Sequence, residues 1–162
     1  MDYNSRYNKE ERYWGTDPHP LVRVSLPYLS LPAKVLDLGC GEGKDALYLA
    51  RKGFDITTID SSEKGISKLE VYSQKEKLNI TTKIADLKSF LETCETFDSI
   101  VGINILQFVH QEDLVSIIKK IQLKTNPRGL NVIASFLAET PEQKQRTLAQ
   151  GRYLFNEGEL KK

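Results

Sequence analysis

The chain has 162 residues, a length that suits one domain with a real core. Hydrophobic residues make up 40% and charged residues 28%, and the net charge of +1 shows none of the basic excess typical of bulk nucleic-acid or membrane-surface binders. The polar residues 1–6 lack the apolar core of a signal peptide, and no apolar run approaches the ~18–20 residues of a membrane span. Cys40 and Cys94 stand far apart and outside any CxxC, so neither a disulfide framework nor a metal site is expected. Two reduced thiols fit a cytoplasmic protein.

Residues 1–33 precede the first strand. They carry Tyr13-Trp14-Gly15 and then Pro18-His19-Pro20-Leu21-Val22, too aromatic for a tail, so one or two helices packed over the top of the sheet are expected. Lys34-Val35-Leu36-Asp37-Leu38 is a short apolar run that stops at glycine, a buried-strand pattern. Asp45 to Lys52 places Ala46, Leu47, Leu49 and Ala50 at helical spacing, and Gly53 ends it. Residues 54–60 read as a second strand. Ser61 or Ser62 caps a helix that runs to about Leu78, with Ile66, Leu69 and Tyr72 on its buried face. Residues 80–85 give a third strand, 87–92 a short helix, 97–103 a fourth strand and 113–124 a helix with Leu114, Ile117, Ile118 and Ile121 inward. Asn126-Pro127-Arg128-Gly129 is a turn, and 130–136 a fifth strand. Residues 141–150 are a polar helical stretch, and 157–162 look like the start of another helix. Five strands alternating with helices predict an α/β three-layer sandwich around a doubly wound, mainly parallel sheet, in one domain over residues 1–162 with a cap of 1–33. Such sheets bind ligands at the carboxyl ends of their strands.

The glycine loop Gly39-Cys40-Gly41-Glu42-Gly43 lies between the first strand and the first helix of that core. Glycines at alternate positions let the backbone turn sharply and approach a ligand. A Walker A loop needs GxxxxGK[ST], but Gly43-Lys44 is followed by Asp45 and the upstream glycine position holds Leu38. A dinucleotide fingerprint, GxGxxG, would need glycine where Lys44 stands. The spacing present is GxGxG with Asp37 two residues before it.

Val35-Leu36-Asp37-Leu38-Gly39-Cys40-Gly41-Glu42-Gly43 resembles motif I of the class I methyltransferases that use S-adenosylmethionine (SAM). The resemblance implies a Rossmann-like sheet and a SAM site on Asp37, Gly39, Cys40, Gly41 and Gly43. Asp60, followed by Ser61, stands where the family's acid accepts from the ribose hydroxyls. Asp86, followed by Leu87, stands where an Asp accepts the adenine amine, and Asn104 begins the segment beneath the methyl group. Asp60 is also compatible with a helix cap, and Asp86 with a solvated turn. Asn104 is followed by Ile105-Leu106, unlike the [ND]PP[YF] of base and glutamine methylation, so that subclass is disfavoured; with no large insertion or appended domain in the sequence, a small acceptor is expected rather than a macromolecule.

Tyr13-Trp14-Gly15, the Pro18–Val22 segment and Phe155-Asn156-Glu157-Gly158-Glu159-Leu160 also resemble the tellurite-resistance (TehB-like) methyltransferases. That implies methyl transfer to a small soft nucleophile, such as selenite, tellurite or a thiol. SAM's sulfonium carries an activated methyl, so alignment of the acceptor, with a contribution of up to ~7–11 kcal/mol, matters more than general-base help. No triad is evident. Tyr13, closing over the cofactor with Trp14, and Gln107 and His110, facing the substrate, are the weak catalytic candidates; for His110 an exposed loop position is the favoured alternative. The competing readings are a catalytically impaired SAM-binding module and an NAD-linked oxidoreductase. The family's sheet has seven strands, and the chain is expected to lack the C-terminal hairpin. Val132, Ile133 and Ala134 would then form an exposed edge through which copies of the chain associate.

Overall fold

A computed structural model describes residues 3–8, 11–149 and 153–156. Five parallel strands, β1 (Lys34–Leu38), β2 (Asp55–Asp60), β3 (Ile80–Ile84), β4 (Phe97–Ile103) and β5 (Thr125–Ala134), lie in the order β3-β2-β1-β4-β5. The helices are α1 (Tyr3–Arg6), α2 (Pro20–Ser25), α3 (Lys44–Arg51), α4 (Glu63–Lys75), α5 (Leu87–Thr93), α6 (Leu114–Leu123) and α7 (Pro141–Ala149). The chain reverses its direction of winding at β1, with β2 on one side and β4 on the other. A crevice opens there above the carboxyl ends of the strands, where doubly wound sheets bind ligands.

Strand alternation feeds two cores. Leu36, Leu38, Ile59 and Ile100 join Leu91, Ile117 and Ile121 of α5 and α6 on one face. Val35, Ile56 and Val101 join Val22 of α2 with Ala46 and Leu49 of α3 on the other. The three-layer α/β sandwich expected from the sequence is present.

Several boundaries differ for identifiable reasons. The helix expected to reach Leu78 stops at Lys75, because Lys77 takes a left-handed φ of 56° and the Leu78 N–H turns back to the Ser73 carbonyl (2.9 Å). Ser62, not Ser61, caps it, accepting from the Gly65 N–H at 3.1 Å. The turn expected at 126–129 is instead a bulge inside β5: Thr125 pairs with Phe97, and the next pairing is Leu130 with Ser99. Arg128 supplies the left-handed φ of 66°, while Asn126 Nδ2 donates to Asp98 Oδ1 at 2.8 Å and pins the bulge to β4. β5 ends at Ala134 rather than at 136 and is the edge strand. Val132 is nonetheless covered by the α2–α3 core, and Ile133 and Ala134 are half-buried. Past that edge, Ala138 N–H donates to the Phe155 carbonyl (2.8 Å), and Tyr153 and Phe155 are buried. The helix start expected at 157–162 and the motif residues Glu157–Leu160 lie outside the described residues.

No helix among the described residues is long and apolar enough to cross a membrane. Nor does any group of three or more His, Cys, Asp or Glu side chains there form a metal cluster.

Candidate functional site: a cleft on the glycine loop

The loop after β1 is shaped by positive φ at Gly39 (69°), Gly41 (55°) and Gly43 (77°). Gly39 and Cys40 N–H groups donate to the Ile59 carbonyl at 2.8 and 3.1 Å, and Gly43 N–H closes on the Cys40 carbonyl at 2.9 Å. A Cβ on Gly39 would lie 2.5 Å from Ile105 Cδ1, and one on Gly41 would lie 2.7 Å from the Tyr7 hydroxyl. Both positions therefore require a bare backbone.

Two adjoining cavities flank the loop. The first, of about 440 Å³, is bounded by Asp37, Gly39–Glu42, Lys44 and Asp45, by Asn104 and Gln107 after β4, and by Tyr3, Tyr7, Trp14 and His19 of the N-terminal segment. The second, of about 320 Å³, is bounded by Asp86, Leu87 and Lys88 and by His110. Gly39, Asp60, Ser61, Ile105 and Phe108 line both, which makes one cleft. Each volume falls in the ~300–1,000 Å³ range of small-molecule sites.

The polar groups of this cleft are specific. Asp60 ends β2, and its Oδ2 accepts from the Gly41 N–H (2.7 Å) while Oδ1 accepts from the Ser62 N–H (2.8 Å). Burial raises its pKa from the ordinary carboxylate value, against these backbone bonds, which hold it down. Asp37 is 3% exposed, and its Oδ2 has no hydrogen-bond partner among the described residues. Burial first, then the Asp45 carboxylate, pushes its pKa well up. Gln107 is 4% exposed. Its Nε2 donates to the Asn104 carbonyl at 3.1 Å, which fixes the amide orientation, and its Oε1 is left buried without a partner among the described residues. Asn104 tolerates a φ of 57° because its short polar side chain suits the left-handed region. Cys40 lines the cavity, and burial pushes its thiol pKa well up.

The cleft thus brings together Asp37, Gly39, Cys40, Gly41, Asp60, Ser61, Asp86, Leu87 and Asn104. Four other candidates sit differently. Gly43 faces away: its turn packs against Leu69 of α4, and it shapes the loop without lining either cavity. The Tyr13 ring also lies outside both cavities, 44% exposed and edge-on to Trp14, with its hydroxyl accepting from Arg6. Gln107 and His110, the two candidates for facing the substrate, line different cavities, and His110 is exposed. Asp86 caps α5, with Oδ1 accepting from the Ser89 N–H and hydroxyl at 3.0 and 3.2 Å. Sequence reasoning missed Tyr7 and His19. Tyr7 is buried, with burial raising its pKa, and accepts from Trp14 Nε1 at 3.0 Å. His19 caps α2 and donates its N–H to Asp45 at 2.6 Å. The Pro18–His19–Pro20 helix-start pattern was the available signal for His19.

Comparison with known proteins places this geometry. The model of the tellurite resistance protein TehB family matches residues 4–162. A probable S-adenosyl-L-methionine-dependent methyltransferase TehB from Haemophilus influenzae (strain 10810) is 40% identical over 107 residues, which is 66% of this chain and 37% of that protein. The crystal structure of TehB from Haemophilus influenzae aligns with a TM-score of 0.74 at 32% identity, over 98% of this chain and 52% of that one. Coclaurine N-methyltransferase, crystallised with N-methylheliamine and SAH, aligns with a TM-score of 0.60 at 27% identity, over 68% of this chain and 33% of that one. The chain spans about half the length of the crystallised TehB, and its sheet has the Rossmann-like class I methyltransferase fold.

Proposed function

We propose that this chain, which belongs to the TehB tellurite resistance family, binds SAM in the cleft and passes its methyl group to a small soft nucleophile such as selenite, tellurite or a thiol. The observation that carries the reading is the buried Oδ2 of Asp37 beside the glycine loop, which has no hydrogen-bond partner among the described residues. A buried carboxylate oxygen without a donor is costly, and a ligand ammonium supplies one. The cavity sets Asp37, Asp45 and Asp60 against Lys44, and Lys44 is already paired with Asp45 at 3.2 Å. That balance favours a cationic ligand carrying a sulfonium and an ammonium, and it opposes the pyrophosphate of NAD.

The roles divide along the cleft. Gly39 and Gly41 let the backbone approach the donor. Asp60, already fixed by two N–H bonds, has lone pairs left for a ribose diol, since each carboxylate oxygen accepts more than one hydrogen bond. Asp86 spends Oδ1 on its helix cap, leaving Oδ2 for the adenine amine; Leu87 and Ile105 provide apolar walls. When bound, SAM supplies a methyl activated by its sulfonium. Orientation of the acceptor is then the main task, and Tyr3, Tyr7, Trp14 and Phe108 keep water from the space around it. Asn104 and Gln107 stand at the floor of the first cavity, with Gln107 Oε1 available to a protonated acceptor. His110, on the other cavity, takes no part in this reading.

Transfer of labelled methyl from SAM to selenite, tellurite and a small thiol tests the proposal. A methylated chalcogen is the expected product. Binding of SAM without transfer to any of the three would leave a SAM-binding module and refute the enzymatic part.

A further inference from the structure

Glu42 sits inside the glycine loop, yet its carboxylate is not used to build the turn. The side chain is 3% exposed, and every contact it makes leaves the loop. Oε1 accepts from Lys68 Nζ of α4 at 2.6 Å. Oε2 accepts from the backbone N–H of Tyr13 at 2.7 Å and of Trp14 at 3.4 Å. Lys68 Nζ donates a second bond, at 2.9 Å, to the Glu11 carbonyl. Both members of the pair therefore grip the backbone of residues 11–14. A carboxylate is tolerated in so buried a place only when paired and hydrogen-bonded, and among the described residues its partners are the strap and the lysine that holds it.

The gripped segment forms a wall of the first cavity. Trp14 and Gly15 line it, and Trp14 Nε1 donates to the Tyr7 hydroxyl, which packs directly over Gly41. Further along, Arg12 stacks over the Tyr72 ring with its guanidinium carbon 3.6 Å from the centroid. Glycine loop, α4 and strap are thus joined at one ion pair, between the buried Glu42 carboxylate and a half-buried Lys68.

We infer that Glu42 and Lys68 are positioning residues, a clamp that holds the 11–14 strap as a wall of the cofactor cavity and couples its retention to ligand affinity. The inference rests on the cofactor reading above. Linkage makes the coupling reciprocal: a ligand that needs the wall protects the strap, and loss of the clamp weakens the ligand.

Limited trypsin digestion of the intact apo chain, with cleavage sites read by mass spectrometry, tests the clamp itself. The Arg12–Tyr13 bond is a tryptic site, and its amide N–H is the one Glu42 holds. In Glu42→Ala and Lys68→Met this bond should be cut at least about tenfold faster than in the wild type, as expected for easier local opening. Cutting after Arg51 should stay unchanged. The double variant E42Q/K68M keeps an acceptor for Tyr13 and buries no lone charge, so it should return toward the wild-type rate. The affinity for S-adenosylhomocysteine should fall about tenfold or more in each single variant, with partial recovery in the double. Equal cleavage in wild type and both single variants overturns the clamp, and a released strap with unchanged affinity overturns the coupling. Should Glu42→Ala not fold, visible as faster cutting after Arg51, the comparison of Lys68→Met with the double variant decides. Failure of the wild type to bind S-adenosylhomocysteine refutes the cofactor reading and the coupling, while the cleavage ratios still decide whether the clamp exists.

Discussion

Replacing Gly43 with alanine separates two physical reasons for a glycine. Its φ is +77°, and a Cβ there would stand within 2.9 Å of Leu69 Cγ, on a side chain that is fully buried. A side chain in the left-handed region costs about 1–2 kcal/mol. Forcing Leu69 to move costs ~1–3 kcal/mol more, because close-packed cores resist overpacking. The reduced freedom of the unfolded chain returns ~0.4–1 kcal/mol. The net expectation is a loss of about 2–4 kcal/mol, a large share of a typical ~5–15 kcal/mol stability. Gly53→Ala is the control: its φ is +91°, but the nearest atom to a Cβ is Leu31 Cδ1 at 3.8 Å, so only the backbone strain applies. Urea unfolding followed by circular dichroism measures both, with the slope unchanged if the denatured state is unaffected. A Gly43→Ala loss no larger than that of Gly53→Ala would refute the steric part, and a loss below about 0.5 kcal/mol would refute both parts.

Asp37 gives a pH prediction. Its folded pKa is raised by burial and by Asp45, so the folded state holds this proton to higher pH than the unfolded state does. The carboxyl therefore does no harm below its unfolded value of about 4, and it lowers stability progressively as pH rises through its folded pKa. Asp37→Asn removes that penalty while keeping an acceptor for the Ala46 N–H. Its melting temperature relative to wild type should therefore improve from about pH 4.5 to pH 7.5, and a difference independent of pH would count against the reasoning. Arg51 and Glu76 offer a contrast with the Glu42–Lys68 clamp: they form two 2.6 Å bonds at the surface. A double-mutant cycle there should give a coupling below about 1 kcal/mol, since exposed pairs gain little. A value above ~2 kcal/mol would contradict that reading.

The core was legible because its signals are local. The apolar run Val35–Leu38 ending in Gly39, the β-branched Ile56–Ile59 and the inward residues of α6 each announce an element within a single window. The glycine loop and Asp60 were legible for the same reason, being fixed by spacing and by the end of a strand. What was hidden depends on contacts between distant residues. Glu42 reads as a solvated loop residue until Lys68 and the strap are seen to enclose it. Tyr7 belongs to a short aromatic segment with no periodicity, and only its seat over Gly41 gives it a role. The sequence 126–129 carries true turn chemistry, visible in the left-handed φ of Arg128. The bond from Asn126 to Asp98 holds that turn inside a strand as a bulge, and no local pattern records it. The motif puts Gly43 at the ligand, yet it faces Leu69, because the GxGxG spacing does not say which way each glycine points.

Calorimetric titration of the wild type and of Asp60→Ala with S-adenosylhomocysteine and with NAD tests the cofactor assignment most directly. S-adenosylhomocysteine should bind the wild type, NAD should give no heat, and loss of the Asp60 carboxylate should weaken S-adenosylhomocysteine roughly 10- to 100-fold, as expected for charge-assisted hydrogen bonds. Heat with NAD and none with S-adenosylhomocysteine, or an affinity indifferent to Asp60, would contradict the assignment.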